Sequence, residues 1–180
     1  MSKIIQKFKI DGMEIIFRYP EANDAAGILK LIDSFVKERV MVGENRKPKL
    51  EIIKKSLEER LKGIKNKDVV YLVVEAEEKI LGRAWIKKAN DQNQEHIGNL
   101  VIHLHGNLRG KGLGEKLLRA ILKEGKKVLK IKMVTLGVMG KNMLAINLYK
   151  KVGFEEYGKL AKGIRHFEKL DDYTLMVKYL

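Results

Sequence analysis

The segment that most constrains the fold runs from residue 104 to residue 118 and reads LHGNLRGKGLGEKLL. Strand-like apolar alternation precedes it, and the helical spacing of leucines begins at Leu113. Between the two patterns stand Gly110, Gly112 and Gly114, which carry no Cβ to keep a ligand from the backbone. The start of a helix offers unpaired N–H groups and a partial positive charge. The segment therefore predicts a strand, a tight turn and a helix start that can bind a phosphate or pyrophosphate.

Two better-known phosphate loops do not fit this segment. A Walker loop requires Ser or Thr after Gly-Lys, whereas Gly110-Lys111 is followed by Gly112. A dinucleotide loop requires G-x-G-x-x-G and an acid about 20 residues later, and residues 126–132 contain no acid. A turn that binds no ligand stays open as an alternative. Arg109 and Lys111 add two full positive charges beside the glycines.

A second informative segment runs from Asn142 to Phe154. Asn142 is a natural N-cap, and Gly153 is a natural residue to end a helix. The positions between them that share one helix face are Ala145, Leu148, Tyr149 and Val152. Taken alone, this segment predicts a capped amphipathic helix.

Together the two segments resemble the GNAT superfamily of acetyl-CoA-dependent N-acetyltransferases. The cofactor motif of that family, Arg/Gln-x-x-Gly-x-Gly/Ala, is matched by Arg109, Gly112 and Gly114. Its next motif, Asn-x-x-Ala-x-x-Leu-Tyr-x-x-x-Gly-Phe, is matched by Asn142, Ala145, Leu148, Tyr149, Gly153 and Phe154. Residues 17–25 are similar to the first strand of the family where it leads into the first helix, and residues 172–176 are similar to its last strand. The resemblance thus covers residues 13 to 180.

The order of predicted elements favours an α/β fold, a mixed sheet with helices on both faces. The predicted strands are 13–19, 69–74, 80–86, 95–105, 131–138, 155–160 and 172–179, and the predicted helices follow Asp24, Lys49, Gly112 and Lys141. The resemblance implies a mostly antiparallel central sheet of about seven strands that is splayed at the cofactor site. We expect one domain over residues 1–180, with residues 1–12 as an N-terminal extension.

Composition narrows the class of protein. The 180 residues include no cysteine, which excludes disulfides and zinc–thiolate sites. No secretory signal or membrane-spanning segment is predicted, so a cytoplasmic enzyme without a membrane partner is the expectation. The net charge of +14 arises from scattered lysines with few aromatics, which favours a solvated basic surface over nucleic-acid recognition. RNA or an acidic protein as partner stays open, as does a homodimer.

The resemblance implies that acetyl-CoA is the cosubstrate and that no metal is needed. The residues that it assigns to the cofactor are Ile102, His103, Leu104, Arg109, Gly110, Lys111, Gly112, Leu113, Gly114, Asn142 and Tyr149. In this arrangement the amides of residues 109–114 bind the pyrophosphate, and the Leu104 N–H faces the thioester carbonyl. The pantetheine arm lies like an extra strand in the splayed notch, where the Asn142 side chain bonds to it.

Acetyl transfer to an amine requires a neutral amine, a donor to the developing oxyanion and a proton for the thiolate. Without a cysteine, and with no serine in a nucleophile elbow, direct attack in a ternary complex is expected. Under the resemblance Tyr149 is the general acid, although a purely structural core tyrosine is the alternative.

The general base is harder to assign. Some family members carry Glu or His at the positions of Gly98 and Leu100, and members that acetylate protein N-termini can carry Glu at that of Gly137. Because this chain has no such group there, Glu95 and His96 are the candidate bases, acting directly or through water.

His103 and His105 share a strand face, but the sequence shows no third ligand, so packing or a place beside the cofactor is preferred to a metal pair. The expected acceptor is a small amine, polyamine, amino acid or peptide amine, selected by the loops Met41–Lys49 and Gly158–Asp171. The alternative function is a non-catalytic coenzyme A-binding or nucleic-acid-binding module on the same fold.

Overall fold

The computed structural model describes residues 2–41 and 45–180, and these contain eight strands and four α-helices. In chain order the elements are β1 (Ile4–Ile10), β2 (Met13–Arg18), α1 (Ala25–Lys37), α2 (Leu50–Lys65), β3 (Val69–Ala76), β4 (Lys79–Lys88), β5 (Ile97–Leu104), α3 (Leu113–Glu124), β6 (Met133–Met139), α4 (Met143–Lys151), β7 (Glu155–His166) and β8 (Lys169–Tyr179). Gly43, part of the predicted loop Met41–Lys49, lies outside the described residues.

All eight strands form one sheet in the order β1-β2-β3-β4-β5-β6-β8-β7. Every neighbouring pair is antiparallel except β5 and β6, which are parallel. The expected α/β fold with a mixed, mostly antiparallel sheet is confirmed, with eight strands instead of about seven.

The helices cover both faces of the sheet because side chains alternate along each strand. In β3, for example, Val70, Leu72 and Val74 pack in one core with α3 and α4. Val69, Tyr71 and Val73 pack in a second core with α1 and α2. The buried stripe of α1 includes Ile28, Leu31, Ile32 and Phe35. The sheet therefore separates two hydrophobic cores, which is what an eight-stranded sheet needs to be buried on both faces.

The eighth strand is β1, for which the sequence analysis predicted no strand. Residues Ile4–Ile10 pair antiparallel with β2 and form one edge of the sheet. Phe8 meets the fully buried Phe17 edge-on, with ring centroids 5.3 Å apart. The predicted first strand is therefore the second in the sheet.

Asp24 was expected to cap α1, but its carboxylate is used differently. It accepts hydrogen bonds from both terminal nitrogens of Arg18, at 2.8 and 2.7 Å, and from the backbone N–H of Glu21. It therefore caps the short 3₁₀ turn before α1 and ties that turn to β2.

The two parallel strands separate soon after they begin. Their register has only three pairs, Ile97–Asn99 of β5 against Met133–Thr135 of β6. Beyond these pairs no ladder joins β5 to β6, although β4 and β8 follow them to their ends. The sheet is therefore split between β5 and β6, and the split is where the glycine-rich loop and α4 meet.

Candidate active site

A cleft of about 940 Å³ opens where β5 and β6 separate. Nine of the sequence-predicted cofactor residues line it: Ile102, His103, Leu104, Arg109, Gly110, Gly112, Gly114, Asn142 and Tyr149. The structure therefore brings the two motifs, about thirty residues apart in sequence, to one cavity.

The glycine-rich loop has a backbone that only glycine adopts readily. Gly110 and Gly112 have φ angles of 74° and 71°, in the left-handed region. A Cβ added at either residue would meet no atom within 4 Å, so open space lies beside both. Gly112 also precedes the first turn of α3, whose N–H groups have no partners within the helix. This combination of open space and free donors fits a bound phosphate or pyrophosphate.

The third glycine has a packing role. A Cβ at Gly114 would lie 3.1 Å from Cδ2 of Leu148, so glycine here lets α4 approach the start of α3. The close approach brings the second motif beside the first.

The backbone of β5 contributes donors as well. The N–H of His105 donates to the carbonyl of Leu81 in a bond of 2.8 Å, which extends the ladder with β4. Because donors alternate between the two sides of an antiparallel strand, the N–H groups of Leu104 and Ile102 point away from β4 and toward the split. These are the groups that an extended ligand in the cleft could bind.

The charged side chains of Arg109 and Lys111 both have partners within the protein. Arg109 donates from Nε and Nη2 to the carbonyl of Leu104, at 3.2 and 3.1 Å, and so holds the loop against β5. Lys111 forms an ion pair of 2.7 Å with Asp11 in the turn between β1 and β2. Leu113 is fully buried in the core, so only its backbone is available to a ligand.

Tyr149 lies on the face of α4 that lines the cleft, and it is buried. Its ring packs against Phe154, with centroids 5.8 Å apart. Burial raises the pKa of its phenol well above the usual 10, because the charged form would lose hydration. Tyr149 is therefore a protonated donor throughout the neutral range.

Asn142 caps α4, as predicted, with its Oδ1 accepting from the N–H of Ala145 at 3.2 Å. Its Nδ2 donates to the carbonyl of Met41, also at 3.2 Å. Both ends of the side chain therefore have partners in the protein, and a bond to a cofactor arm would compete with Met41.

Glu95 and His96 lie outside the cleft. Both are exposed and occupy the turn before β5, at the end of that strand where it pairs with β6. The eight residue steps from His96 to Leu104 correspond to roughly 26 Å along a strand. The geometry therefore does not support either residue as a base acting in the cleft.

The two neighbouring histidines do different jobs. His103 is buried beside Phe35 and Trp85 and accepts at Nδ1 from Arg83 Nε, 3.1 Å away. Burial, with the charges of Arg83 and Arg60, lowers its pKa well below 6.5, so the ring is neutral. The Nδ1 of His105 instead accepts from the N–H of Asn107, at 3.3 Å.

Two negative findings hold for residues 2–41 and 45–180. Within these residues there is no group of three or more His, Asp or Glu side chains that could hold a metal ion. No helix in the same part of the chain combines the length and apolar character that crossing a membrane requires.

Several residues that the sequence analysis did not assign to the site also line the cleft. They are Glu38, Arg39 and Val40 after α1, Trp85 on β4 and Tyr173 on β8, while Met41 and Ile164 come from the two segments expected to select the acceptor. Trp85 is half-buried at the cleft wall. The pattern of an amphipathic strand could have placed Tyr173 on a sheet face, but no local signal shows that this face meets the cleft.

The two segments expected to select the acceptor come together beside the cleft, but most of Gly158–Asp171 is strand and not the expected loop, because β7 runs to His166 and β8 begins at Lys169. The Nε2 of His166, at the end of β7, makes a hydrogen bond of 3.0 Å to the carbonyl of Val40. Asn45 donates from Nδ2 to the carbonyl of Arg165 and accepts at Oδ1 from the N–H of Phe167, each at 3.2 Å. The segment after α1 and the turn between β7 and β8 therefore form one wall.

Comparison with known proteins agrees with this geometry. The model of the acetyltransferase (GNAT) family matches residues 35–154. A spermine/spermidine N(1)-acetyltransferase of Bacillus subtilis (strain 168) is 38% identical over 52 residues, which make up 29% of this chain and 34% of that protein. The chain therefore matches about a third of the length of this curated relative.

Solved structures are similar over most of their length. Ribosomal-protein-alanine N-acetyltransferase from Brucella melitensis is 25% identical to this chain and superposes with a TM-score of 0.80. The alignment covers 91% of this chain and 99% of that one. Phosphinothricin acetyltransferase from Sinorhizobium meliloti, solved with acetyl-CoA, shares the fold at 20% identity, with a TM-score of 0.78 over 92% and 88% of the two chains. Because the family model covers two thirds of the sequence, including both motifs, this chain belongs to the GNAT family of acetyltransferases.

Proposed function

We propose that this protein transfers the acetyl group of acetyl-CoA to a primary amine by direct attack in a ternary complex. The observation that carries the proposal is the row of backbone N–H groups along the split in the sheet, from Leu104 on β5 to the left-handed Gly110 and Gly112 before α3. Family membership, and the acetyl-CoA bound in the Sinorhizobium meliloti relative, support the same cosubstrate.

The residues present fit that cosubstrate along its length. The open left-handed glycines and the N-terminus of α3 suit the pyrophosphate, with Arg109 holding the loop in place. The N–H groups of Ile102 and Leu104 suit the pantetheine arm, in the manner of an added strand. When bound, acetyl-CoA supplies an activated acetyl thioester. The Leu104 N–H then donates to the carbonyl oxygen on which negative charge develops.

Tyr149 is assigned to protonate the departing thiolate. It lies on the wall of the cleft, and the burial that raises its pKa keeps the phenol protonated at neutral pH. A proton supplied to the sulfur as the C–S bond breaks is worth about 10² to 10⁴ in rate.

For removal of the amine proton, the geometry favours Glu38 over Glu95 and His96. Glu38 lines the cleft, and its Oε2 lies 3.6 Å from the position of a Cβ added at Gly106, just past the end of β5. Glu115, another carboxylate of the cleft wall, is already paired with Lys151 at 2.7 Å. Within the described residues no ion pair engages Glu38, so its carboxylate is free to accept a proton directly or through one water.

The acceptor class is a primary amine, with polyamines, amino acids and peptide amines as the candidates. The Bacillus subtilis relative favours a polyamine. The described cleft wall contributes Arg39 and Arg109 as well as Glu38, so it is less acidic than a site for a long polycation requires. An amine panel that includes spermidine, an amino acid and a short peptide decides among these.

The proposed function is tested by binding and by turnover. Calorimetry at low salt should detect coenzyme A binding to the wild type, and Gly112→Asp should abolish it because a carboxylate would enter the anion site. Thioester cleavage with the amine panel should fall about 10²-fold in Tyr149→Phe with coenzyme A affinity unchanged. Glu38→Gln should lower the rate at neutral pH at least 10-fold with coenzyme A affinity unchanged.

Tyr157→Phe is the matched control, since Tyr157 is exposed on the edge strand β7. Absence of coenzyme A binding together with an inert Gly112→Asp substitution contradicts the proposal. Salt-dependent RNA binding without any thioester cleavage would instead support the alternative of a non-catalytic binding module.

A further inference from the structure

Tyr173 and Gly137 occupy one another's space across neighbouring strands. Gly137 lies on β6 and lines the cleft, and Tyr173 lies on the adjacent β8 and lines it too. A Cβ added at Gly137 would overlap the hydroxyl oxygen and Cζ of Tyr173 and would lie 2.7 Å from its Cε1. The tyrosine hydroxyl therefore sits where a side chain of residue 137 would otherwise begin.

The sheet register explains how the ring reaches this position. Leu175 is directly opposite Gly137, and Tyr173 is opposite Met139, so the Tyr173 ring leans diagonally, across two residue positions, onto the glycine. Val138 packs in the core with α3 and α4, and its neighbour Gly137 faces the opposite side of the sheet. This is the side on which α1 and the segment after it lie.

The hydroxyl of Tyr173 is placed to meet a ligand. The residue is half-buried, and no hydrogen bond joins its hydroxyl to any of the residues that the structure describes. Continuing the parallel register from Ile97 opposite Met133 puts Gly137 level with Val101 on the other side of the split. The hydroxyl therefore lies across the cleft from the β5 backbone donors.

We infer that the Tyr173 hydroxyl binds the acceptor amine and that Gly137 is glycine because this ring needs its space. The inference rests on the proposed function. The phenolic oxygen accepts a hydrogen bond from one N–H of the neutral amine, which orients the nitrogen lone pair toward the thioester carbonyl carbon on the β5 side. Tyr173 gains and loses no proton in this role, which separates it from Tyr149.

The first test is Tyr173→Phe, with Tyr179→Phe as the matched control on the same strand, where Tyr179 is 71% exposed. We expect kcat/KM for the amine to fall about 10- to 100-fold in Tyr173→Phe. Binding of the amine to the enzyme–coenzyme A complex, measured by calorimetry, should weaken about 10-fold, while coenzyme A affinity and the melting temperature stay at wild-type values. Tyr179→Phe should change none of these.

The second test is Gly137→Ala, which forces the Tyr173 ring off its position. Gly137→Ala should weaken amine binding as Tyr173→Phe does. Because both substitutions remove the same contact between the Tyr173 hydroxyl and the amine, the double variant should bind amine no more weakly than the more affected single variant. Kinetics within twofold of wild type in Tyr173→Phe would overturn the inference, as would equal losses of amine and coenzyme A binding. If the wild type bound no coenzyme A and cleaved no thioester, the proposed function itself would fail first.

Discussion

At the residue scale, burial decides the chemistry of the ring side chains around the cleft. Tyr149 and His103 are both buried, and in both cases loss of hydration disfavours the charged form. The phenol of Tyr149 therefore stays protonated at neutral pH, whereas the imidazole of His103 stays unprotonated and is a neutral acceptor for Arg83.

His103 should make stability depend on pH. Its pKa in the folded protein is lowered below 6.5, so the unfolded chain binds the proton more readily. Stability is then full above about pH 6.5 and is lost as pH falls from there, by at most about 1.4 kcal/mol per pH unit. In His103→Gln, whose amide oxygen can still accept from Arg83, this loss should disappear.

The measurement is the free energy of unfolding from urea titrations at pH 7.5, 6.5 and 5.5. The exposed His96 provides the matched control, since His96→Gln should keep the wild-type slope. Parallel pH profiles for wild type and His103→Gln would show that folding does not lower the pKa of this imidazole.

At the element scale, the segment that follows α1 is fastened from two sides. The carbonyl of Met41 accepts from Asn142 at the start of α4, and that of Val40 bonds to His166 at the end of β7. Arg39 stacks over the ring of Phe167, 5.0 Å from its centroid. The wall of the cleft therefore depends on contacts between elements more than 100 residues apart in sequence.

The two bonds of Asn142 can be separated by substitution. Asn142→Asp keeps an oxygen to cap Ala145 but replaces the donor to Met41 with an acceptor, whereas Asn142→Ala removes both bonds. We expect Asn142→Ala to cost about 1 to 2 kcal/mol of stability and Asn142→Asp less than about 0.5. Amide hydrogen exchange near Val40 and Met41 should accelerate in both variants. Protection unchanged in Asn142→Asp would show that this bond does not fasten the segment.

Whether a feature can be predicted from the sequence depends on how far apart along the chain the interacting residues lie. The helix starting at Leu113, the Asn142 cap and the hairpin from β3 to β4 are encoded by neighbouring residues, so periodicity and capping rules find them. The placement of Tyr173 over Gly137 depends on the register of β6 against β8, which no local pattern specifies. Glu38 was missed as a candidate base for the same reason.

At the scale of the whole molecule, the two edge strands of the sheet, β7 and β1, differ in how far their side chains are exposed. The edge strand β7 carries exposed side chains along most of its length, including Tyr157 and Leu160. The opposite edge, β1, is half-buried on one side, where Ile5, Phe8 and Ile10 pack against the main core. Within the expected extension 1–12, Ile4–Ile10 thus contribute a strand to the sheet and cover part of its core.

Removal of these residues should therefore destabilise the whole fold. Without β1, the buried Phe17 loses its ring contact with Phe8, and Glu124 loses the ion pair with Lys3, 3.1 Å long. Lys111 in the glycine-rich loop also loses its partner Asp11. We expect a chain that begins at Gly12 to lose several kcal/mol of unfolding free energy, and Phe8→Ala in the full chain to lose about 2, less than a fully buried phenylalanine because Phe8 is half-buried.

Urea unfolding of the shortened chain and of Phe8→Ala, with Lys9→Ala as an exposed control on the same strand, measures these losses. Coenzyme A calorimetry on the same samples adds a second readout, because freeing Lys111 from Asp11 changes the charge beside the anion site without touching its glycines. A shortened chain with the stability of the full one would mean that β1 is a dispensable extension and that the sheet needs only the seven strands from β2 onward.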